Sequence, residues 1–337
     1  MKTPLFSLAT IATLVVATIA AASSATVSPG IEVSPSRAAS QSAQEQASTL
    51  RPSRPGRVST TLVAEMGFVD PISHTVQFGQ SGTKFDYVDD GGQDILFPTM
   101  RLSAEVELGG AHTFIFLYQP IDIRTRETLR RDLVVDEVLF PEGAPMDFRY
   151  GFDFYRASYL YDLWDEDASE ELSFGAGLQL RDAVIDFTSI DGSLHRSNRG
   201  VGPVPLLKSR LQKSLNDTWW LGVEADGIYA PVKYFNGGKS DVEGAILDFS
   251  VRLGYQVAEP LGVFLNARYI GGGAEGTSDE RGPGDGYTSN WLHFWSSTIG
   301  LRLNLEAWLA NLSRPGPRAT GTADSPSHVS ASSGMGD

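Results

Sequence analysis

Apolar and polar residues alternate with a period of two along several stretches of the chain, a pattern typical of β-strands whose two faces meet different surroundings. The clearest stretch runs from Leu247 to Val257, where every second residue is apolar and those between are polar or glycine. Similar alternation occurs at 96–108, 219–229 and 261–269. The pattern predicts a sheet with one apolar face and one charged face.

About ten strands account for the whole patterned region, an even number of the kind found in bacterial single-chain barrels. The predicted spans are 58–69, 95–108, 111–125, 147–163, 171–189, 203–214, 218–231, 246–257, 260–271 and 289–306. Two spans change phase midway, near Phe154–Arg156 and near Arg181–Ala183, and a β-bulge would produce such a change. Many spans exceed the average strand of about 5–6 residues in soluble proteins.

Short and long connections alternate along this series of strands. Short ones are predicted at 109–110, 164–170, 215–217 and 258–259, and long ones at 70–94, 126–146, 190–202, 232–245 and 272–288. Prolines are predicted at the long-loop ends of strands, where a missing N–H costs little: Pro98, Pro120, Pro203, Pro205 and Pro231. This arrangement predicts an all-β fold, an antiparallel transmembrane β-barrel of about 10 strands (8–12), with both termini on one side of the membrane.

Alternation alone does not tell which face is outside, and a soluble barrel with an apolar interior is the alternative. A soluble core does not require charges along the opposite face of nearly every strand, so we expect the apolar face to meet lipid. The predicted lumen charges are Glu65, Arg101, Glu105, Arg149, Asp153, Arg156, Arg181, Lys208, Arg210, Glu224, Asp226, Asp248, Arg252, Arg268 and Arg302. They would form either a salt-bridged plug, which we favour, or a narrow polar pore.

Aromatic residues near the strand ends predict two membrane-interface girdles, because amphipathic rings favour that zone. The predicted periplasmic girdle contains Tyr159, Tyr161, Trp219 and Tyr255, and the outer girdle contains Phe148, Tyr229, Tyr269 and Trp291.

Composition and the termini narrow the class of protein further. The net charge of −14 argues against nucleic-acid binding, and the absence of cysteine excludes disulfides, thiolate metal sites and a lipoprotein anchor. Residues 1–22 are typical of a cleaved signal peptide, with Lys2 before an apolar run. We expect a disordered leader at 23–57, the barrel at 58–306 and a disordered tail at 307–337.

The last predicted strand carries a motif known from barrel assembly. Residues 298–305, Thr-Ile-Gly-Leu-Arg-Leu-Asn-Leu, resemble the last-strand assembly signal of small outer-membrane β-barrel proteins of Gram-negative bacteria, with leucines where aromatics are usual and with chain continuing beyond it. The resemblance implies an outer-membrane location. It also implies outer-membrane lipid, lipopolysaccharide and the barrel-assembly machinery as partners.

One short motif suggests catalysis. Residues 195–198, His-Arg-Ser-Asn, resemble the His-x-Ser-Asn motif of outer membrane phospholipase A and the outer-membrane lipid A deacylase. That resemblance implies His195 as base and Ser197 as nucleophile, with a third group about a dozen residues later. Here that position holds Lys208-Ser209-Arg210, so the triad is incomplete. We therefore expect a non-enzymatic structural, narrow-pore or surface-binding barrel, with a lipid-directed esterase or deacylase as the alternative.

Two further candidate sites are weaker. Asp89-Asp90 and the scattered histidines do not make a convincing set for an omptin-type protease. The glycine- and acid-rich segment 271–286 has oxygen ligands for calcium, but its spacing matches no defined loop. The sequence therefore predicts no metal site and no cofactor.

Overall fold

The computed structural model describes residues 58–164, 170–231, 241–277 and 284–313, and within these ranges it contains fourteen strands and one helix. The strands are β1 Val58–Phe78, β2 Phe85–Asp86, β3 Phe97–Leu108, β4 His112–Gln119, β5 Asp122–Thr128, β6 Leu133–Val135, β7 Val138–Phe140, β8 Pro145–Asp162, β9 Glu170–Ser189, β10 His195–Ser214, β11 Trp219–Pro231, β12 Glu243–Ala258, β13 Leu261–Thr277 and β14 Tyr287–Asn304; the helix is α1 Leu305–Leu312. The predicted signal peptide and leader lie outside the described residues.

The strands form a closed antiparallel barrel. Each barrel strand pairs with the next one around the ring, in the order β1, β3, β4, β8, β9, β10, β11, β12, β13 and β14, and β1 closes the ring by pairing with β14 from Thr61↔Asn304 to Phe78↔Thr288. β4 and β5 both pair with β8, so they act as one barrel strand interrupted at Pro120, and the ring has ten strands. The predicted ten-stranded antiparallel barrel is confirmed. β2 pairs beside β1, and β6 and β7 form a separate hairpin.

The predicted bulges in β8 and β9 are wrong. These two strands pair without a register shift from Met146↔Ser189 to Asp162↔Ser173, so the same alternate residues point inward along their whole length. A register shift occurs instead in β1 between Pro71 and Ser73, and the inward face changes there from odd-numbered to even-numbered residues.

The apparent phase change is a change of surroundings along an unbroken strand. In β8 the inward residues pass from Arg156 to the apolar Phe154 and Phe148, all buried, while the outward residues pass from the exposed Tyr155 to Arg149. The apolar face is therefore outside in one half of the barrel and inside in the other. Apolar side chains face lipid in the first half and an apolar core in the second.

The outward apolar belt ends at the same level on neighbouring strands. Its last large residues are Leu180 on β9 and Val201 on β10, and the next outward residues are Asp182 and Arg199. The strands continue about eight residues further, which at about 3.3 Å per residue and a 40° tilt is about 20 Å beyond the bilayer. The predicted long loop 190–202 is consequently a five-residue turn at 190–194, and the strict alternation of loop lengths fails there.

Pro203 and Pro205 lie inside β10 rather than at its end, contrary to prediction. β10 pairs with β9 from His195 onward, but with β11 only from Leu207 onward. At both prolines the strand therefore has one edge without a recorded partner, where a missing N–H interrupts no ladder.

The chain turns helical at the end of the last barrel strand. The predicted strand 289–306 ends at Asn304, and Leu305–Leu312 form α1, so the first part of the predicted disordered tail is ordered. The rest of that tail lies outside the described residues. Among the residues described, no helix is long and apolar enough to span a membrane.

Candidate functional site: the filled lumen and the outer polar wall

The half of the lumen nearest the barrel's first and last residues, which is the periplasmic half in the predicted orientation, holds a cluster of mostly buried charges that we call the ionic layer. Its members are Glu65, Arg101, Glu105, Arg156, Lys208, Arg210, Glu224, Asp226, Asp248, Arg252 and Arg268. Asp248 is bound by Arg156 at 2.9 Å and by Arg268, whose Nε donates at 2.6 Å, and Arg101 lies 3.6 Å away. Arg156 also contacts Asp226. Each buried charge in this group therefore has opposite charges around it, as burial requires.

Several of these pairs cross the lumen instead of joining neighbouring strands. Arg210 on β10 reaches Glu105 on β3 at 2.9 Å, and Arg252 on β12 binds Glu65 on β1 at 3.1 Å as well as Glu224 at 2.8 Å. Such links hold opposite walls together. They leave the interior at this level occupied by side chains.

Uncharged amide side chains, which are not among the predicted lumen residues, complete the ionic layer. Gln179 accepts from Arg156 at 2.6 and 3.0 Å, Gln119 accepts from Arg268 at 2.7 Å, and Asn266 donates to Glu65 at 2.7 Å. Their positions in the sequence could have identified them, since each of these residues lies on the inward face of its strand.

Two large aromatic rings pack inside the barrel close to glycines. Trp220 and Phe264 lie 5.8 Å apart between ring centroids, and both are almost fully buried. A Cβ on Gly254 would lie 1.9 Å from the indole of Trp220, and one on Gly300 would lie 2.1 Å from the ring of Phe264. The glycine of the 298–305 motif is therefore needed here to seat an aromatic side chain from β13. Arg302 lies over the Trp220 ring at 5.0 Å.

The outer half of the lumen is filled by an apolar plug. The outer connections 79–96 and 129–144 fold inward and join the walls in one buried cluster: Val69, Val76, Phe78, Phe85, Tyr87, Phe97, Leu117, Ile121, Ile123, Leu129, Leu133, Val135, Phe140, Met146, Phe148, Tyr150, Phe152, Phe154, Ile185, Phe187, Ile270, Leu292 and Phe294. The β6–β7 hairpin is tied to the wall where Arg196 binds Asp136 at 2.6 Å.

A polar cavity lies beside the ionic layer. Its volume is about 30 Å³, and it is lined by Glu105, Glu171 and Arg210 among other polar residues. In the part of the chain that the structure describes, the ionic layer and the apolar plug thus lie one above the other in the lumen, and open space remains beside Gly200 and Gly202 on β10.

Three of the residues predicted for the lumen and the girdles face the other way. Arg149 and Asp153 point outward, and Phe148 points inward and is 2% exposed. The cause is the inversion of faces in the outer half, which in the sequence looks like the phase change of a β-bulge. Arg181 and Arg302 face the lumen and are partly buried. The remaining girdle residues face outward with part of each ring exposed: Tyr159, Tyr161, Trp219, Tyr229, Tyr255, Tyr269 and Trp291.

Above the apolar belt, the outside of β5, β8, β9 and β10 carries a ladder of ion pairs, which we call the outer polar wall. Its charged members are Asp122, Arg124, Arg126, Asp147, Arg149, Asp182, Asp186 and Arg199. The Arg126–Asp147 distance is 2.7 Å, the Arg149–Asp122 distance is 2.8 Å, and Arg199–Asp182 measures 2.6 Å. The guanidinium groups of Arg124, Arg126 and Arg199 are about two-thirds exposed.

The predicted catalytic pair lies on this wall, on β10, and not in a loop. The Ser197 hydroxyl donates to Asp186 at 2.5 Å, and His195 Nδ1 is 2.9 Å from the hydroxyl of Thr188. The serine proton is therefore directed to a carboxylate on β9, and the imidazole is engaged elsewhere. The geometry does not assemble a serine–histidine dyad between these side chains.

The turn next to His195 is tightly hydrogen-bonded. Asp191 accepts from the hydroxyls of Ser189 and Ser193 and from the Ser193 amide, and these bonds hold the pKa of its carboxyl below the ordinary value. This network explains why five residues suffice to join β9 to β10.

The other sequence candidates do not come together either. Asp90 pairs with Arg131 at 2.9 Å on the first outer connection, whereas His74 is buried in the plug, 4.5 Å from the ring of Tyr87. In the segment weighed for calcium, residues 278–283 lie outside the described residues. Asp285 accepts from the backbone amides of Gln80 and Tyr287.

Comparison with known proteins gives structural likenesses alone. No known protein family matches the sequence, and no curated protein matches it. The outer-membrane protease OmpT from Escherichia coli is 10% identical with a TM-score of 0.42, over 73% of this chain and 96% of that chain. Ail, the attachment invasion locus protein of Yersinia pestis, is 11% identical with a TM-score of 0.32, over 73% and 99%. The toluene transporter TodX of P. putida is 8% identical with a TM-score of 0.32, over 77% and 92%.

These likenesses say nothing about an activity. The conclusion on architecture comes from the chain's own geometry: strands closed into a ring, an apolar belt outside and an ionic layer inside. This chain has the fold of an outer-membrane β-barrel.

Proposed function

We propose that the protein is a closed barrel of the outer membrane that acts as a surface-binding scaffold. The observation that supports this most strongly is the content of the lumen, in which the ionic layer and the apolar plug lie one above the other. A conducting pore needs a continuous polar path, and an apolar plug interrupts it. The extension of about 20 Å beyond the bilayer gives the protein a rigid surface outside the membrane.

Electrical recording tests the closed state. The purified protein inserted into planar bilayers is expected to give no stepwise conductance, because ions cannot pass the apolar plug without displacing it. A general porin inserted in the same bilayers serves as the positive control, and the heat-dependent gel shift of the sample shows that the barrel is folded. Reproducible conductance steps from the folded protein would contradict the scaffold proposal.

We propose further that the outer polar wall contacts lipopolysaccharide. The wall begins directly above the apolar belt, at the depth where the phosphates and sugars of the outer leaflet lie. Arginine binds phosphate through two parallel N–H groups, and Arg124, Arg126 and Arg199 are held in place by aspartates while remaining largely exposed. Exchange of an aspartate contact for a phosphate contact keeps each guanidinium paired.

Thermal unfolding with added lipopolysaccharide tests this contact. A ligand that binds the folded state raises the Tm, so the native protein is expected to melt higher with lipopolysaccharide than with the same mass of phospholipid. A variant with Arg124, Arg126 and Arg199 replaced by glutamine is expected to lose half or more of that shift. Arg131→Gln is the control, because it removes an exposed arginine from an ion pair away from the wall. This variant should keep the full Tm shift with lipopolysaccharide. An unchanged shift in the triple variant would exclude the wall as the contact surface, with the conductance result unaffected.

A further inference from the structure

The short helix α1 has an apolar stripe that the described residues leave largely exposed. Leu305, Trp308, Leu309 and Leu312 follow the spacing i, i+3, i+4, i+7, which places them on one side of a helix. Trp308, Leu309 and Leu312 are 41%, 50% and 66% exposed, and no residue of α1 is buried. Such a stripe is costly in water, and it needs an apolar neighbour.

Hydrogen bonds fix the helix at the seam where the barrel closes. Asn304 is its N-cap, accepting from the Ala307 amide at 2.8 Å while donating to Ser59 at 3.0 Å. The Glu306 carboxylate accepts from the Thr60 amide at 2.7 Å. The β1–β14 ladder ends at Thr61↔Asn304, so Glu306 supplies the acceptor that β14 no longer provides. The polar side of α1 is therefore turned to the start of β1.

The apolar stripe is continuous along the chain with the lipid-facing side of the last strand. The outward residues Ile299 and Leu301 of β14 are each more than half exposed and belong to the apolar belt. The helix begins four residues after Leu301, at the periplasmic end of the belt. A tryptophan at this depth fits the membrane interface, where one ring edge meets lipid and the N–H meets water.

The segment that follows the helix offers a poor cover for the stripe. Residues 314–337 contain one valine and one methionine as large apolar residues, among many serines and glycines. We propose that α1 lies in the interface of the periplasmic leaflet, with its apolar stripe in lipid, and that it anchors the β1–β14 seam to that leaflet. The partner is thus a lipid surface, engaged by apolar burial since Glu306 is the only charged residue of the helix.

Site-directed labelling tests the proposal on the full chain in phospholipid vesicles. The native chain lacks cysteine, so Leu309→Cys, Leu312→Cys and Ala310→Cys each give a single site for an environment-sensitive fluorophore. Labels at 309 and 312 are expected to emit at shorter wavelength and to be quenched at least twofold more by nitroxide lipids than by aqueous iodide. The label at 310, on the opposite side of the helix, is the matched control and should show the reverse preference.

Two results would overturn the proposal. One is equal iodide quenching at 309, 310 and 312, which would place the stripe in water. The other is a blue-shifted label at 309 that neither quencher reaches, which would mean that a protein segment or a second copy covers the stripe. Adding Trp308→Asp to the Leu312→Cys variant provides an independent check. It should remove the lipid quenching at 312 while the heat-dependent gel shift stays normal.

Discussion

Replacing Asp248 with asparagine is expected to lower the free energy of unfolding of the barrel by about 3–5 kcal/mol, the usual cost of removing one partner from a buried ion pair. The carboxylate is bound by Arg156 and Arg268, with Arg101 close by, and the side chain is 4% exposed. Asparagine keeps the shape but leaves these arginines with too little negative charge. Urea titration of the barrel in lipid vesicles, followed by tryptophan fluorescence, measures the change.

Asp147→Asn is the matched control for this experiment. Asp147 also binds an arginine, Arg126, but both side chains are about half exposed or more, and water screens the pair. No measurable loss of stability is expected there. Equal losses in the two variants would show that the ionic layer contributes no more than a surface pair. Adding Arg268→Gln to the Asp248 variant should recover part of the loss, because one uncompensated charge is removed.

The second large effect is expected at Gly254. A valine at this position would place its Cβ about where the indole of Trp220 now lies, since a Cβ there is 1.9 Å from Cε2. The indole must move within a filled lumen, and overpacking of this kind costs about 1–3 kcal/mol or more. The same urea titration is expected to show a lower midpoint with an unchanged slope.

Gly202→Val provides the control for Gly254, because a Cβ on Gly202 meets no atom within 4 Å. It is expected to change stability much less. Trp220→Leu combined with Gly254→Val should lose less stability than the sum of the two single variants, because the smaller side chain frees the space that the valine needs. If the two losses of stability simply add, close packing of Trp220 on Gly254 is not the reason that Gly254→Val destabilises the barrel.

Much of the membrane-embedded half could be predicted from the sequence. Along β12, Leu253 and Val251 face lipid while Arg252 and Asp248 face the lumen, so the chemistry of the two sides alternates at every residue. The pairing of the charges could not be predicted. Arg210 meets Glu105 across the lumen although 105 positions separate them, and only closure of the ring brings β10 opposite β3.

Most of the errors lie in the outer half and share one physical origin, whereas the helix at Leu305–Leu312 is a separate difference at the opposite end. Arg149 and Asp153 were predicted for the lumen, and Phe148 for the girdle, because their chemistry differs from that of their neighbours on β8. The strand keeps its phase, but beyond the membrane water lies outside and the apolar plug lies inside. The hydrogen bond of Ser197 could not be predicted for a related reason. The spacing of two residues in the sequence says nothing about Asp186 on the neighbouring strand, which takes the serine hydrogen bond.

The alternation of residues by itself determined the strand number, the antiparallel barrel and the existence of two unlike faces. Only the tertiary structure decided at which residue lipid gives way to water, which connections fold inward as a plug, and which charges meet across the lumen. The alternation along a strand shows that its two faces meet different surroundings. It does not show which face is outside, because lipid outside the barrel and a packed core inside it both remove an apolar side chain from water. The choice between them depends on what the rest of the chain places within the ring.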